Sequence, residues 1–201
     1  MPVQFKFFEE SGVNDDARER LQGLRYQSNF ISELQEAAIV ARIRELPFQE
    51  FDFHGYKGKR RVVSFGWRYE FAGGGQLRKA DNIPEFLLPI RGLAASFAGR
   101  EPDYFQHVLV TEYRPDVGIG WHRDKAVFGE VVGISLLSDC ALRFRRKISS
   151  TSHTRSTWER VNLVAERRSA YLLSGPSRSE WEHSILRVDS QRYSITFRHV
   201  L

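Results

Sequence analysis

Apolar residues recur at helical spacing in the first half of the chain. Ser32 followed by Gln35 is a capping-box pattern, and the apolar positions after it repeat on one helical face until Pro47. A second run, residues 89–98, is also apolar on one side and is followed by Gly99, a residue typical of helix ends. These patterns predict two helices.

Strand patterns dominate the rest of the chain. Residues 60–71 are rich in aromatic and β-branched side chains, which favours a strand. From His107 onward, short runs are separated by turn residues; they are HVLVTEY, VVGISLL, ALRFRR, RVNLV, SAYLLSG and RYSITFR. Because no helical stretch lies between them, they favour an antiparallel sandwich or barrel over a parallel α/β sheet. The Ser/Thr-rich residues 147–159 predict a turn or loop.

Composition narrows the class of protein. The chain has 201 residues, of which 41% are hydrophobic and 27% charged, values typical of a globular domain and not of a disordered chain. A net charge of +5 permits contact with polyanions without establishing it. The single cysteine, Cys140, suits a reducing compartment, and neither a signal-peptide pattern nor a long apolar run is present. We therefore expect a cytoplasmic monomer that does not associate with membranes.

The first candidate for chemistry is the pair His122 and Asp124 in GIGWHRDKAVFG. On an extended chain these two side chains point to the same face, about 6.6 Å apart, and can converge on one ion. The same pair is also common as an ordinary exposed edge. With His183 it would complete the two-histidine, one-carboxylate triad of non-haem Fe(II) oxygenases, which leaves coordination positions open for reactants.

A second candidate is the terminal run RYSITFR. Arg192, Ser194 and Arg198 lie on one face of it because strand side chains alternate. Two guanidinium groups on one face suit a small dicarboxylic acid, since each can hold a carboxylate bidentately. An exposed basic edge strand is the alternative interpretation.

Together these motifs resemble the AlkB-type Fe(II)/2-oxoglutarate dioxygenases. The matching residues, in order, are Tyr113, Pro115, His122 and Asp124, the segment YLLSGPSRSEWEHSI with His183, and Arg192-x-Ser194-x-x-x-Arg198. The resemblance implies an α+β, mainly β fold, a double-stranded β-helix or jelly roll with N-terminal helices packed on one side. We expect one domain over residues 1–201, with helices and a nucleotide-recognition segment in 1–106 and the catalytic jelly roll in 107–201.

The resemblance also implies roles for these residues. The Fe(II) ligands would be His122, Asp124 and His183. The 2-oxoglutarate ligands would be Arg192, Tyr113 and Ser194 at the distal carboxylate, with Arg198 contacting the C1 carboxylate or orienting Asp124. With O2 as co-substrate, the family's reaction converts 2-oxoglutarate to succinate and CO2 and hydroxylates a substrate C–H bond. If that carbon is an N-methyl group, the product releases formaldehyde.

The substrate is predicted from a basic and aromatic segment. Its candidate substrate-binding residues are Lys57, Lys59, Arg60, Arg61, Trp67 and Tyr69. Cations bind phosphates and aromatic rings stack on bases, and the segment resembles the family's nucleotide-recognition region. An amphipathic strand with a solvated basic end is the alternative. The leading hypothesis is oxidative demethylation of N-alkylated bases in single- or double-stranded DNA or RNA, as in alkylation repair; a duplex would require base flipping.

Some positions depart from the best-known family members. Thr111 stands where some carry Asn two residues before Tyr113, and Ala126 stands where the DNA-repair type has an acid that reads the damaged base. Base preference is therefore open. The short interval from His183 to Arg192 predicts a tight hairpin.

Two other functions remain open. The same cofactors could act on a protein or a modified tRNA base, or the chain could be a basic nucleic-acid-binding module with a silent metal site. Two further histidines, His107 and His199, are expected to pack or face water, while Trp181 and Cys140 are expected in the core.

Overall fold

The computed structural model describes residues 10–53, 56–70, 75–148 and 157–201. The helices are α1 (Glu10–Arg20), α2 (Glu33–Ile43), α3 (Leu88–Ala98) and α4 (Gly175–Ser179). The strands before residue 107 are β1 (Leu24–Gln27), β2 (Gln49–Phe53), β3 (Tyr56–Phe65), β4 (Trp67–Glu70) and β5 (Gln76–Lys79). The later strands are β6 (His107–Tyr113), β7 (Ile119–His122), β8 (Phe128–Leu136), β9 (Cys140–Ile148), β10 (Thr157–Ala165), β11 (Ala170–Leu173), β12 (Glu182–Ile185) and β13 (Arg192–Val200).

Both predicted helices are confirmed, together with their end signals. The Ser32 hydroxyl accepts a hydrogen bond from the backbone N–H of Gln35, and the Gln35 side chain accepts from the backbone N–H of Ser32, so α2 begins with a capping box. Helix α3 ends at Gly99, whose φ of 70° is the left-handed conformation that glycine adopts without a Cβ penalty.

The strands form two antiparallel sheets that face each other, which is the predicted mainly β jelly roll. The major sheet has the order β1-β11-β8-β13-β6-β3-β2, and the minor sheet has the order β10-β9-β12-β7. Strands β4 and β5 form a separate two-stranded ribbon. The major sheet contains strands from both sides of residue 107. The expected division into a segment with the helices and nucleotide recognition, 1–106, and a catalytic jelly roll, 107–201, stays a prediction.

Strand alternation in the major sheet divides the core into two layers. Tyr193, Ile195 and Phe197 of β13 pack with α2 and α3 on the outer side of the sheet. The intervening residues of β13 face the minor sheet, whose Leu142 and Phe144 are buried in the inner layer. The N-terminal helices α2 and α3 therefore cover one side of the jelly roll, as expected, and leave the space between the sheets for a site.

The predicted hairpin between His183 and Arg192 is wrong. Strand β12 pairs with β7 and β9 in the minor sheet, whereas β13 pairs with β6 and β8 in the major sheet. The connection therefore crosses from one sheet to the other. A short interval permits either a hairpin within one sheet or a crossing to the other sheet. The strands that pair with β12 and β13 decide between the two, and those strands are distant in sequence.

The Ser/Thr-rich segment predicted as a loop is shorter than expected. Residues 147 and 148 end β9 and residues 157–159 begin β10, while 149–156 lie outside the described residues. Within the described part of the chain, no helix has the length and apolar character needed to cross a membrane.

Candidate active site

Three predicted metal ligands meet at the ends of two paired strands. His122 ends β7, His183 lies on β12, and the two are register partners with ring centroids 4.3 Å apart. Asp124 follows β7 directly. One ligand atom from each of the three residues lies within 4.8 Å of the others. This cluster lines a cavity of about 470 Å³ between the two sheets.

The charges around the cluster set the protonation states that a metal requires. Burial lowers the pKa of His183 to about 3, and burial also lowers the pKa of His122. Burial acts to raise the pKa of Asp124, but the nearby charges, Arg198 first, outweigh it and hold this pKa well below its usual range. At neutral pH the cluster presents two neutral imidazoles and one carboxylate, the forms that bind a divalent cation.

Asp124 is held by the arginine predicted to lie beside it. The Nη2 of Arg198 donates to a carboxylate oxygen of Asp124 at 2.8 Å, and both side chains are about nine-tenths buried. A second arginine holds the loop that follows. Arg178 of α4 donates to the backbone carbonyls of Lys125 and Phe128 at 2.7 and 2.6 Å, which fixes the chain just after Asp124.

The polar face of β13 turns inward. Arg192, Ser194 and Arg198 are all buried, and β13 lies between β6 and β8, so the exposed edge-strand alternative is excluded. Arg192 is the register partner of Tyr113, and Ser194 is the partner of Thr111. Tyr113, Thr111, Ser194 and Arg198 line the cavity. Arg192 is fully buried and lies against the ring of Tyr113, its guanidinium carbon 5.2 Å from the ring centroid.

These arginines retain unused hydrogen-bond donors. The Nε of Arg192 donates to the Ser135 hydroxyl at 3.2 Å, but neither of its two Nη atoms has a partner among the described residues, and the same is true of Arg198 Nε. Buried donors without partners cost free energy, and charged ones cost most. A carboxylate at this wall would satisfy Arg198 Nε, whereas Arg192 is not among the residues that line the cavity and lies against Tyr113, which does line it. The donor set therefore fits Fe(II) together with a keto diacid.

Several cavity residues were missed by sequence reasoning, among them Tyr171 and His107, whose side chains carry polar groups. Tyr171 of β11 is buried and lines the cavity, and its ring tip crosses Gly133 so closely that a Cβ there would lie 2.2 Å from Tyr171 Cζ. A glycine within a strand pattern is a signal for such a close approach. His107 packs on Phe128 with ring centroids 4.7 Å apart, which fits the expected packing. It also lines the cavity, and its buried Nδ1 has no hydrogen-bond partner among the described residues.

Two of the six predicted substrate residues reach the cavity, namely Arg60 and Tyr69. The guanidinium carbon of Arg60 lies 3.7 Å from the ring centroid of Phe51. Burial lowers the pKa of Arg60, and no acid in the described part of the chain forms an ion pair with it. Lys125 adds a second cation, with its Nζ 5.3 Å from the Tyr69 ring centroid.

Of the other four substrate residues, the three whose side chains the structure describes do not line the cavity: Lys59, Arg61 and Trp67. Arg61 lies on the opposite face of β3, where it donates to Glu112 and to the Phe48 carbonyl, both at 3.0 Å. Adjacent residues of a strand point to opposite faces, so Arg60 and Arg61 cannot share a site. Lys59 is exposed, and the Trp67 ring lies 5.9 Å from Lys79 Nζ. The side chain of Lys57 lies outside the described residues.

The two departures from the best-known family members occupy different places. Thr111 is buried in the cavity wall beside the polar face of β13, whereas Ala126 is exposed on the loop after Asp124. The expectations for Trp181 and Cys140 are confirmed, since both are buried in the core. His199 stacks on Tyr104 at 4.1 Å between ring centroids.

Comparison with known families agrees with this geometry. The model of the 2OG-Fe(II) oxygenase superfamily matches residues 23–198, from just before β1 to the last arginine of β13, and the chain belongs to this superfamily. It is therefore a 2-oxoglutarate-dependent oxygenase that uses Fe(II) and 2-oxoglutarate. A search of curated proteins finds no significant match.

Proposed function

We propose that this oxygenase is an AlkB-type dealkylase that oxidatively removes alkyl groups from N-alkylated bases in DNA or RNA. The carrying observation is the part of the cavity wall that β3 forms, where Arg60 stacks on Phe51 and forms no ion pair with any acid among the described residues; Tyr69 lines the same cavity. Cations interleaved with aromatic rings suit the phosphates and bases of a nucleic acid. A neutral His107 adds a hydrogen-bonding edge to the same cavity.

The residue roles follow from the donor set. His122, Asp124 and His183 would hold Fe(II), which with 2-oxoglutarate supplies the oxidation of a substrate C–H bond. The distal carboxylate of 2-oxoglutarate would be held by Arg192, Tyr113 and Ser194, and the C1 carboxylate by Arg198.

The chain's own side chains supply positioning and protonation. Burial keeps the imidazoles of His122 and His183 neutral, and Arg198 keeps Asp124 ionised. Arg178 holds the loop after Asp124 in place through backbone carbonyls. Apolar wall residues, among them Leu142, exclude water from the cavity.

A turnover assay tests this function. The Fe(II)-loaded protein is mixed with 2-oxoglutarate, O2 and a panel of N-alkylated single- and double-stranded DNA and RNA oligonucleotides. We expect formaldehyde and succinate in equal amounts from an N-methylated member, and neither from His122→Ala. Absence of formaldehyde from every member of the panel would reject the dealkylase.

A second substrate class is favoured by one position. Ala126 is exposed and supplies no acid to the loop after Asp124, where the DNA-repair type carries one. This favours a protein or a modified tRNA base as the substrate of the same cofactor chemistry. Succinate formation stimulated by tRNA or by a protein, but not by alkylated oligonucleotides, would support it.

A further inference from the structure

A strongly basic surface covers the outer side of the minor sheet. We call it the basic face and define it by four cations and two indole rings: Arg143, Arg145, Lys147, Arg160, Trp121 and Trp158. Arg143, Arg145 and Lys147 alternate along β9 with the buried Leu142 and Phe144, so they point away from the core. On β10, Arg160 is the register partner of Arg145 and Trp158 is the partner of Lys147. These two β10 side chains therefore lie on the same side of the minor sheet as the β9 cations.

Indole rings hold two of these guanidinium groups in place. The Arg145 guanidinium lies between two rings, 4.5 Å from the centroid of Trp121 and 4.2 Å from that of Trp158. The Arg143 guanidinium carbon lies 5.0 Å from the ring centroid of Trp121, and its Nε donates to the Ser184 hydroxyl at 3.2 Å. Stacked guanidinium groups lose less conformational freedom when they bind an anion.

The charges of the basic face are not balanced. Arg145 pairs with Glu182 at 2.7 Å, but Arg143, Lys147 and Arg160 form no ion pair with any acid that the structure describes. Arg145 and Arg160 stand directly opposite each other, a like-charge arrangement that destabilises a pair of strands. A bound polyanion would relieve this repulsion.

The basic face continues into the cavity. Trp121 belongs to the basic face, directly precedes the metal-cluster residue His122 and also lines the cavity. The basic face and the cavity therefore share a border. We propose that the basic face binds the phosphate backbone of a single-stranded nucleic acid whose reactive residue enters the cavity. This inference rests on the proposed function, and it places the flanking nucleotides on the minor sheet.

Single-stranded nucleic acid fits this surface better than an acidic protein segment does. Successive cations on β9 are spaced about 6.7 Å apart, and a single strand can adjust its backbone to present a phosphate to each. An indole ring such as that of Trp158 also accepts a stacked base, which an acidic peptide cannot supply. A single-stranded nucleic acid would then contact both the planar groups and the cations of the basic face.

Binding of an unmodified oligonucleotide tests the basic face directly. The probe is fluorescein-labelled single-stranded dT12, and the variant is the double charge reversal Lys147→Glu with Arg160→Glu, both exposed and outside the cavity. We expect the variant to bind about 10- to 100-fold more weakly, with a salt dependence of log K reduced by ~1.4 through the loss of two phosphate contacts. Arg42→Glu, a single charge reversal with half that charge change on the distant helix α2, should leave the affinity unchanged.

Two outcomes would overturn the inference. One is an unchanged dT12 affinity in the double variant with an unchanged thermal unfolding midpoint. The other is loss of binding to polyglutamate with dT12 binding retained, which would assign the surface to an acidic protein. Formaldehyde release from an alkylated mononucleotide is measured in parallel. Release from the mononucleotide preserves the proposed function even if the basic face fails.

Discussion

Two parts of the cavity wall, the cofactor end around β13 and the substrate end around Arg60 and Tyr69, differ in how their side chains are held. At the cofactor end, Arg192 and Arg198 project from β13, which is bonded on both sides by β6 and β8, and both are at least nine-tenths buried. At the substrate end, Arg60 and Tyr69 come from β3 and the small ribbon of β4 and β5, near the edge of the major sheet. The pairing of β2 with β3 also shifts register after Glu50.

We infer from this difference that residues at the cofactor end determine the reaction and residues at the substrate end determine which substrate binds. Side chains on a strand with regular pairing on both sides, as β13 has up to Arg198, can move little, so the cofactor end presents one fixed arrangement of donors. Arg60, by contrast, lies at the register shift between β2 and β3. Side chains near a sheet edge tolerate substitution, so the substrate end can be altered while the fold is retained. Changes at the cofactor end should therefore remove cofactor binding or stability, and changes at the substrate end should alter substrate affinity alone.

The largest effect is expected from His183→Ala. Removal of one of three ligands should weaken Mn(II) binding, used as a redox-stable probe, by more than the 10- to 100-fold typical of outer-sphere changes. Succinate formation should fall to background. His199→Ala is the matched control, because His199 stacks on Tyr104 outside the cavity. Wild-type metal affinity in the His183 variant would remove this residue from the metal site.

Arg198→Ala should destabilise the metal-free protein by about 3–5 kcal/mol, because the Asp124 carboxylate is left buried without its partner. Urea unfolding in the presence of a chelator measures this. Arg198→Lys keeps the charge and should cost less. If the two variants unfold at the same urea concentration as the parent, the ion pair does not stabilise the site.

The stability of the metal-free protein should depend on pH through His183. Its pKa is about 3 in the folded state against an ordinary value of 6.5, so the unfolded state binds more protons between these values. The free energy of unfolding should therefore fall by up to about 1.4 kcal/mol for each pH unit from 6.5 towards 3. The depressed pKa of Asp124 adds a loss at still lower pH, below the usual carboxylate range.

Urea titrations at pH 7, 6 and 5 with a chelator measure this slope. His183→Gln removes one titrating group and should reduce the slope over the same range, while burial of His122 and His107, which lowers the pKa of each, leaves part of the slope in place. An equally steep profile in the variant would assign the pH dependence to other groups.

The smallest effect is expected at the substrate end. Arg60→Ala should raise KM for the nucleic-acid substrate about 10- to 150-fold, since a charge-assisted contact contributes roughly 1.5–3 kcal/mol. The affinity for 2-oxoglutarate should not change. Arg68→Ala is the matched control, because Arg68 is exposed and pairs with Glu70. A loss of 2-oxoglutarate affinity in Arg60→Ala would contradict the separation of the two ends.

Features that depend on neighbouring residues could be predicted from the sequence. The capping box of α2 and the glycine end of α3 are local hydrogen-bonding patterns. The shared face of Arg192 and Arg198 follows from strand alternation. The approach of His183 to His122 was predicted from the two-histidine, one-carboxylate pattern and from the family resemblance; spacing could not give it, because it arises from the pairing of β12 with β7.

By itself, the sequence determined the alternation of each strand and the identity of the polar groups available to the site. The tertiary structure alone decided that β12 and β13 belong to different sheets, that Arg60 and not Arg61 reaches the cavity, and that Tyr171 crosses Gly133. Alternation states which residues share a face, but only pairing with strands distant in sequence decides which face becomes the interior. The backbone period is a local property, whereas burial is set by the whole fold.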